Sequence, residues 1–183
     1  MNLEVNKLLK ISSKLLKDSG LVRAKHESIL ILKEILKKEY LDIMINSEQK
    51  ISSKKVKSIL GKVIQRGKGK PISKIFGQKE FYSLNFFTSS DTLDPRPETE
   101  ILIDVVIKIS KKLTIKDLDI LDLGTGTGCI IINLFRELEK KFNMSAQAVD
   151  ISKKALRIAE RNLHKFKLNH KIQLYQSNWF DRV

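Results

Sequence analysis

The sequence has few of the residues that build covalent or metal-based scaffolds. It contains one cysteine, three prolines and three histidines among 183 residues. A single cysteine, Cys129, excludes a disulfide within the chain and is typical of a reducing compartment. His26, His164 and His170 have no metal-ligand spacing with Cys129 or with one another, so we predict no metal site. We expect a cytoplasmic protein.

Long hydrophobic runs are also absent. Apolar runs such as residues 29–32 and 130–132 are far shorter than the roughly 18 to 20 residues that a membrane helix needs. The first ten residues, MNLEVNKLLK, contain neither a long apolar stretch nor a small-residue cleavage site, so we expect no secretory signal. Hydrophobic residues nevertheless make up 42% of the chain, which is enough for a folded core.

Acidic residues are outnumbered by basic ones, 21 to 35, which gives a formal net charge of +14. Such a charge attracts polyanions in a salt-sensitive way. Arginine, which binds phosphate and base edges better than lysine, accounts for only seven of the basic residues. The lysines are scattered along the chain. Two interpretations stay open: a solvated surface, or a surface that contacts a polyanion such as the ribosome.

The first 76 residues have apolar side chains at helical spacing. We predict a helix from Leu3 to near Gly20, a second from about Val22 to Lys38, a third from Ser52 or Ser53 to Gly67, and a short one over Ile72–Phe76. Residues 1–76 are therefore predicted to form a small helical bundle.

The pattern changes after Gly77. Aromatic residues between Glu80 and Thr88 predict a short hairpin. The segment Asp94-Pro95-Arg96-Pro97 cannot be helical, because each proline moves the residue before it out of the α region. A helix is expected to begin there, with Glu98 in the first turn, where the helix dipole favours acids. We place a domain boundary in residues 77–95 and interpret the hairpin as a linker.

The remainder, residues 96–183, alternates between apolar runs and helical patterns. We predict strands at Leu118–Leu123, Ser145–Val149 and Lys171–Gln176, with helices at Cys129–Lys140 and from Ser152 to about Phe166. This alternation is typical of an α/β fold with a doubly wound parallel sheet, of which these strands are the first half. We interpret the first strand as buried.

The run Asp122-Leu123-Gly124-Thr125-Gly126-Thr127-Gly128 lies where a strand turns into a helix. Alternate glycines permit positive φ angles and close approach of a ligand, and the helix N-terminus offers N–H groups and partial positive charge. Asp150 ends the next strand, where a carboxylate can accept hydrogen bonds from both ribose hydroxyls. We predict a nucleoside-cofactor site; a purely structural glycine turn is the alternative. Because Gly-x-Gly-x-Gly differs from the nicotinamide fingerprint, we favour S-adenosylmethionine (SAM) over NAD.

A resemblance to a known family rests on five segments. They are PISKIFGQKEFYSLNFF at 71–87, DPRPETE at 94–100, ILDLGTGTG at 120–128, AVDIS at 148–152 and SNWF at 177–180. In these the sequence resembles the release-factor glutamine N5-methyltransferases, also called HemK-like proteins, which have the class I SAM-dependent methyltransferase fold. The resemblance implies methyl transfer from SAM to the glutamine of the Gly-Gly-Gln motif in peptide chain release factors, and thus a role in translation termination. It also implies that the helical domain helps to grip the release factor.

The resemblance assigns roles to particular residues. It implies that the methionine end of SAM is held by Gly124, Thr125, Gly126, Thr127 and Gly128. Asp150 would hold the ribose, and Trp179 would pack against the adenine, although core packing of this tryptophan is an equal alternative. Arg96 and Glu98 would shape the substrate cleft or, alternatively, only make a rigid helix entry.

The sequence departs from the family pattern at two points. Asn178 stands where the family usually has an acid; it can still hydrogen-bond to an adenine edge. The family's catalytic Asn-Pro-Pro-Tyr is absent, since the only prolines are Pro71, Pro95 and Pro97. We therefore expect a truncated or split form without catalytic residues of its own. The alternatives are a fragment of an RNA or DNA methyltransferase and a non-catalytic module that binds a release factor or the ribosome.

Overall fold

The computed structural model describes residues 2–182. Contacts divide the chain after Phe76 into two compact units. The N-terminal unit, here the helical unit, is mainly helical, and the C-terminal unit, here the α/β unit, contains the parallel sheet. No helix among the described residues is both long and apolar enough to cross a bilayer.

The helical unit contains five helices and one short ladder. Its elements are β1 (Leu3–Glu4), α1 (Val5–Asp18), α2 (Ala24–Leu36), α3 (Tyr40–Ile45), β2 (Lys50–Ile51), α4 (Ser53–Gly67) and α5 (Ile72–Phe76). The core lies where α1, α2 and α4 meet, and Leu8, Leu32 and Ile59 are completely buried there. The predicted helices are present, with ends that differ by one or two residues.

The sequence analysis missed three short elements of the helical unit. The strands β1 and β2 are two residues each and pair antiparallel. Helix α3 has six residues, of which only Ile43 is buried, so it has no apolar periodicity to detect. These omissions follow from length, because periodicity needs several turns or alternations to be visible.

The α/β unit begins with a hairpin and continues as alternating helices and strands. Its elements are β3 (Gln78–Phe81), β4 (Leu84–Phe87), α6 (Glu98–Ser110), β5 (Asp117–Leu123), α7 (Cys129–Leu138), β6 (Asn143–Asp150), α8 (Lys153–Lys165) and β7 (Ile172–Gln176). The sheet order is β5-β6-β7, all parallel, so the predicted α/β alternation is confirmed.

One face of the parallel sheet is covered and the other is exposed. Ala146 pairs with Ile120 on one side and Ile172 on the other, and all three pack into the hydrophobic core of the unit. On the opposite face, Leu121 and Tyr175 are exposed. The prediction that β5 is a buried strand is therefore wrong: its residues are partly buried or exposed, because the opposite face of the sheet is uncovered within residues 2–182.

The hairpin lies within the α/β unit and is part of its core. Gln78 pairs with Phe87, and the two strands are joined by Tyr82 and Ser83. Both loop residues have positive φ, 49° and 59°, as in the type I′ turn that fits the twist of a two-residue hairpin. Phe81 and Phe86 are buried against the sheet helices, so the segment expected as a linker contributes core side chains.

A single side chain connects the hairpin, the glycine loop and α8. Asn162 in α8 is completely buried. Its Oδ1 accepts from the Phe87 amide (2.7 Å), and its Nδ2 donates to the carbonyls of Phe87 (3.0 Å) and Thr127 (2.8 Å). Because these three backbone groups belong to two other segments, Asn162 fixes the spacing between β4 and the start of α7.

We predict that Asn162→Ala lowers the free energy of unfolding by about 2–4 kcal/mol, because it leaves a buried amide and two carbonyls without partners. Urea denaturation measures the effect. Asn133→Ala is the matched control: Asn133 is also buried, but its side chain donates to the Cys129 carbonyl within its own helix. A loss for Asn162→Ala no larger than the loss for the control would contradict this role.

Candidate functional site

The loop between β5 and α7 folds back onto the end of β6. Gly124, Gly126 and Gly128 have φ angles of 78°, 56° and 78°, which favour glycine. The amides of Gly124 and Thr125 both donate to the Val149 carbonyl at 2.9 Å, and the Gly128 amide donates to the Thr125 carbonyl at 2.8 Å. The loop is therefore held by the protein's own hydrogen bonds.

Asp150, the predicted ribose ligand, faces this loop. Its Oδ2 accepts from the Gly126 amide at 2.9 Å, and its Oδ1 accepts from the Ser152 amide at 2.8 Å. A carboxylate oxygen can accept more than one hydrogen bond, so both oxygens keep capacity for a ligand. The carboxylate joins the tip of the glycine loop to the start of α8 and is only half-buried.

Gly124 and Gly128 have different surroundings. A Cβ at Gly124 would meet no atom within 4 Å, so there is open space beside the loop. A Cβ at Gly128 would lie 3.3 Å from Ile132 Cδ1 and 3.5 Å from Ala159 Cβ. Gly128 thus permits α7 to pack closely on α8, a role that the sequence analysis did not separate from ligand binding.

A shallow cavity of about 250 Å³ lies at the carboxyl ends of β6 and β7, and of the predicted site residues only Asn178 lines it. Ile151, Gln176, Ser177, Asn178, Asp181 and Arg182 line it. Ile151 is 68% exposed although it is apolar. The sequence analysis missed this residue; the available signal was an isoleucine placed directly after a strand-end acid, where it has no strand face to pack on.

The residues after β7 form a tight turn organised by Ser177. The Ser177 amide donates to the Asp150 carbonyl (3.2 Å), and its hydroxyl donates to the Trp179 carbonyl (3.0 Å). Asn178 is exposed at the cavity. Trp179 has a left-handed φ of 50° and is 66% exposed, which excludes the alternative that it is a core residue. Its ring is available to a ligand.

Arg96 and Glu98 lie at the start of α6 and are both exposed. The neighbouring acid Glu100, which the sequence analysis did not single out, has the clearer structural role, because it accepts from the Tyr82 amide at 2.8 Å. The Tyr82 hydroxyl in turn donates to Asp104 (2.7 Å), and this bond raises the pKa of Tyr82 to about 12. The start of α6 thus anchors the hairpin.

Two titratable groups lie directly beneath the loop. Burial raises the pKa of the Cys129 thiol to about 11, so the thiol is neutral and acts as a core residue. Burial also raises the pKa of Asp122, while hydrogen bonds from the Thr125 hydroxyl and the Ile131 amide lower it and the charge of Asp150 raises it further. Thr125 Oγ1 is 2.8 Å from Asp122 Oδ2, so this carboxylate braces the loop from below.

We predict that Asp122→Asn stabilises the chain at neutral pH. The raised pKa of Asp122 means that its ionised form disfavours folding, and this cost is fully present only above the raised pKa. Asparagine removes the charge and still accepts from Thr125. In urea denaturation between pH 4 and 8, the advantage of the variant should shrink as the pH falls towards the ordinary aspartate pKa of 3.8. An advantage that is absent at pH 8 or grows on acidification would contradict the assignment.

Two family models match the chain. The PrmC N-terminal domain matches residues 7–77, and a methyltransferase domain matches residues 115–183. The first coincides closely with the helical unit, and the second begins just before β5 and contains the glycine loop and Asp150.

The curated relatives of the chain include release factor glutamine methyltransferases and bifunctional methyltransferases. The release factor glutamine methyltransferase of Pasteurella multocida is 34% identical over 87% of this chain and 56% of its own length. That of Buchnera aphidicola is 35% identical over 87% of this chain and 55% of its own length. The bifunctional methyltransferase of Rickettsia bellii is 31% identical over 100% of this chain and 37% of its own length.

The chain thus spans about a third to somewhat more than half of the length of the relatives that it matches. Among solved structures, a SAM-dependent methyltransferase from Agrobacterium tumefaciens covers 56% of this chain and 32% of its own, at 17% identity and a TM-score of 0.42, too low to carry an argument. Residues 7–77 thus match a PrmC N-terminal domain, and residues 115–183 match a methyltransferase domain. The chain is similar to methyltransferases, and release factor glutamine methyltransferases are among its relatives.

Proposed function

We propose that the chain binds SAM between the glycine loop and the ends of β6 and β7, and that it serves the methylation of the Gly-Gly-Gln glutamine in peptide chain release factors. The observation that carries the proposal is the position of the Asp150 carboxylate, which accepts from the Gly126 amide of the glycine loop at 2.9 Å and directly precedes Ile151, a residue that lines the cavity. A half-buried acid with spare acceptor capacity suits the paired hydroxyls of a ribose. SAM supplies an electrophilic methyl group on a sulfonium.

Residues at the end of β6 and in the turn after β7 would divide the work of binding. Asp150 would accept hydrogen bonds from the ribose, Ile151 would offer an exposed apolar side chain to the adenine, and Asn178 would offer an amide to the adenine edge. Trp179 would pack against the base. The loop of Gly124, Thr125, Gly126, Thr127 and Gly128 borders the methionine end. Four of these five amides already bond to protein oxygens, so the loop's main contribution is a fixed shape with open space at Gly124.

The substrate proposal rests on the homologues and on the helical unit. Residues 7–77 match the PrmC N-terminal domain, and the alignments with release factor glutamine methyltransferases cover 87% of the chain. We propose that residues 1–76 recognise the release factor. Arg96 and Glu98, both exposed, would border the substrate cleft. A release factor acts at the ribosome, which suits a cytoplasmic protein with a net charge of +14 and weak ribosome contacts.

The 183 residues contain no pair of adjacent prolines, hence no Asn-Pro-Pro-Tyr to orient the glutamine amide. Correct positioning of a weak nucleophile can lower the activation free energy by about 7 to 11 kcal/mol. We therefore propose that these residues bind the cofactor and the partner but do not complete the transfer by themselves.

We predict that SAM binds the chain and that Asp150→Asn weakens binding at least about tenfold, because asparagine accepts fewer hydrogen bonds and has no charge. Titration calorimetry measures this, with Asp119→Asn, an exposed strand acid of β5, as the matched control. NAD titrated in parallel should give no heat. Equal SAM affinity in both variants would show that Asp150 is not part of the site. Tighter binding of NAD than of SAM would identify NAD as the cofactor.

We predict that the chain alone transfers no methyl group from radiolabelled SAM to a release factor above background, while the Pasteurella multocida homologue labels it. A release factor with alanine in place of the Gly-Gly-Gln glutamine is the substrate control and should stay unlabelled with either protein. Turnover by the 183-residue chain would refute the view that it lacks a necessary part. Labelling of RNA in place of the release factor would favour the nucleic-acid alternative.

A further inference from the structure

The helical unit has two adjoining cavities along one side of α1, which we call the α1 groove. The first, of about 410 Å³, lies between α1 and α3 and is lined by Leu9, Ile43 and Met44 among others. The second, of about 550 Å³, lies between the end of α1 and the start of α2. Ser13 and Lys25 line both cavities, so the two form one continuous groove.

The groove follows a single face of α1. The α1 residues that line it are at positions 5, 6, 9, 10, 13, 14 and 17, and this spacing places them in one stripe of the helix. At 1.5 Å per residue the stripe is roughly 18 Å long. A length of this kind matches about three turns of a second helix laid against α1.

The floor of the groove is apolar, with a few polar atoms that lack partners. Leu9 and Ile43 are buried beneath it, while Met44 is 38% exposed and Val22 is fully exposed at its two ends. Asn6 Oδ1 and Ser13 Oγ are buried and, within residues 2–182, form no hydrogen bond. An apolar surface with unused hydrogen-bonding atoms is typical of a surface that a partner covers.

The rim of the groove carries charge of one sign. Lys10, Lys14, Lys17 and Lys25 border it and are exposed. None of them forms an ion pair with a described residue, and no acidic side chain lines either cavity. The positive field along the groove is therefore not compensated from within.

We propose that the α1 groove binds an acidic amphipathic helix of a protein partner. Apolar side chains of that helix would cover Leu9, Ile43 and Met44, and acids on its flanks would face the four lysines, as in helix-in-groove recognition. RNA would satisfy the lysines but would leave the apolar floor exposed to water, so the floor decides between the two. The proposal rests on the proposed function only for the identity of the partner, which would be the release factor.

The test uses the full chain and three fluorescent probes. The first is a peptide of about 14 residues with leucines at i, i+3, i+4 and i+7 and glutamates on the flanks; the second is the same composition scrambled; the third is a single-stranded RNA of equal charge. Anisotropy at 0.15 M salt should show binding of the first probe at least about tenfold tighter than binding of the other two.

Two variants probe the rim and the floor separately. The triple variant Lys10→Glu/Lys14→Glu/Lys17→Glu should weaken peptide binding at least about tenfold, and its control, Lys54→Glu/Lys55→Glu/Lys57→Glu in exposed positions of α4, should change it less than about twofold. Ser13→Phe fills the cavity without changing charge and should also weaken binding about tenfold. Its control is Ser58→Phe, at an exposed position of α4. Thermal unfolding confirms that each variant is folded.

The outcomes separate the proposals. Equal binding of the scrambled peptide or of RNA, or equal loss in the α4 control, overturns the groove in favour of a general polyanion surface. No peptide binding also overturns it. If a release factor binds the chain and Ser13→Phe does not change its affinity, the groove is not its binding site, and the proposed function stays intact. A release factor that does not bind, while the acidic peptide does, refutes the proposed partner and supports the groove.

Discussion

The α/β unit depends on one buried amide side chain. Asn162 donates to or accepts from backbone groups of the hairpin and of the glycine loop, so three segments far apart in sequence share a single contact point. A buried amide of this kind stabilises the fold and also selects one arrangement of the segments, because a shift of either segment would leave polar groups without hydrogen bonds. The hairpin side chains then enter the core at fixed positions, and α7 begins at a fixed distance from β4.

The glycine loop extends this arrangement to the site. Val149 and Asp150 at the end of β6 take up the amides of Gly124, Thr125 and Gly126, and Asp122 braces the loop from below through Thr125. The loop is thus shaped before any ligand arrives. A preshaped loop loses little conformational freedom on binding, which preserves affinity.

The parts of the fold that the sequence predicts are those with a local signal. The strands and helices around residues 118–176 have clear periodicity, and the glycine loop with Asp150 combines backbone chemistry and position within a few residues. Asn162 has no such signal by itself. A hint was available, since it lies on the apolar stripe of α8 formed by Ile158, Ala159 and Leu163, where a polar residue needs buried partners. Which partners these are depends on tertiary packing and cannot be inferred from α8 alone.

The site shows the same division. The position of Asp150 against the glycine loop was predictable because it is an acid at the end of a strand. The cavity that Ile151 and Ser177 line depends on a turn that only the folded chain reveals. Trp179 is exposed and has a left-handed backbone, and sequence patterns indicate neither. Gly128 illustrates the opposite case, since a residue predicted from ligand chemistry also has a packing reason in the contact between α7 and α8.

The outer edge of β5 has a consequence for how the molecules behave in concentrated solution. Within residues 2–182 this strand has a neighbour on one side only, and such an edge can recruit strands from other copies. Two aspartates of β5, Asp117 and Asp119, are exposed, and the Asp117 carboxylate accepts from the Asn143 side chain of β6 at 3.0 Å. Identical edges brought together would juxtapose like charges, and the charge of +14 on each copy adds to the repulsion. For a molecule of these 183 residues, the acidic side chains of this strand thus oppose the edge-to-edge pairing that its backbone would allow.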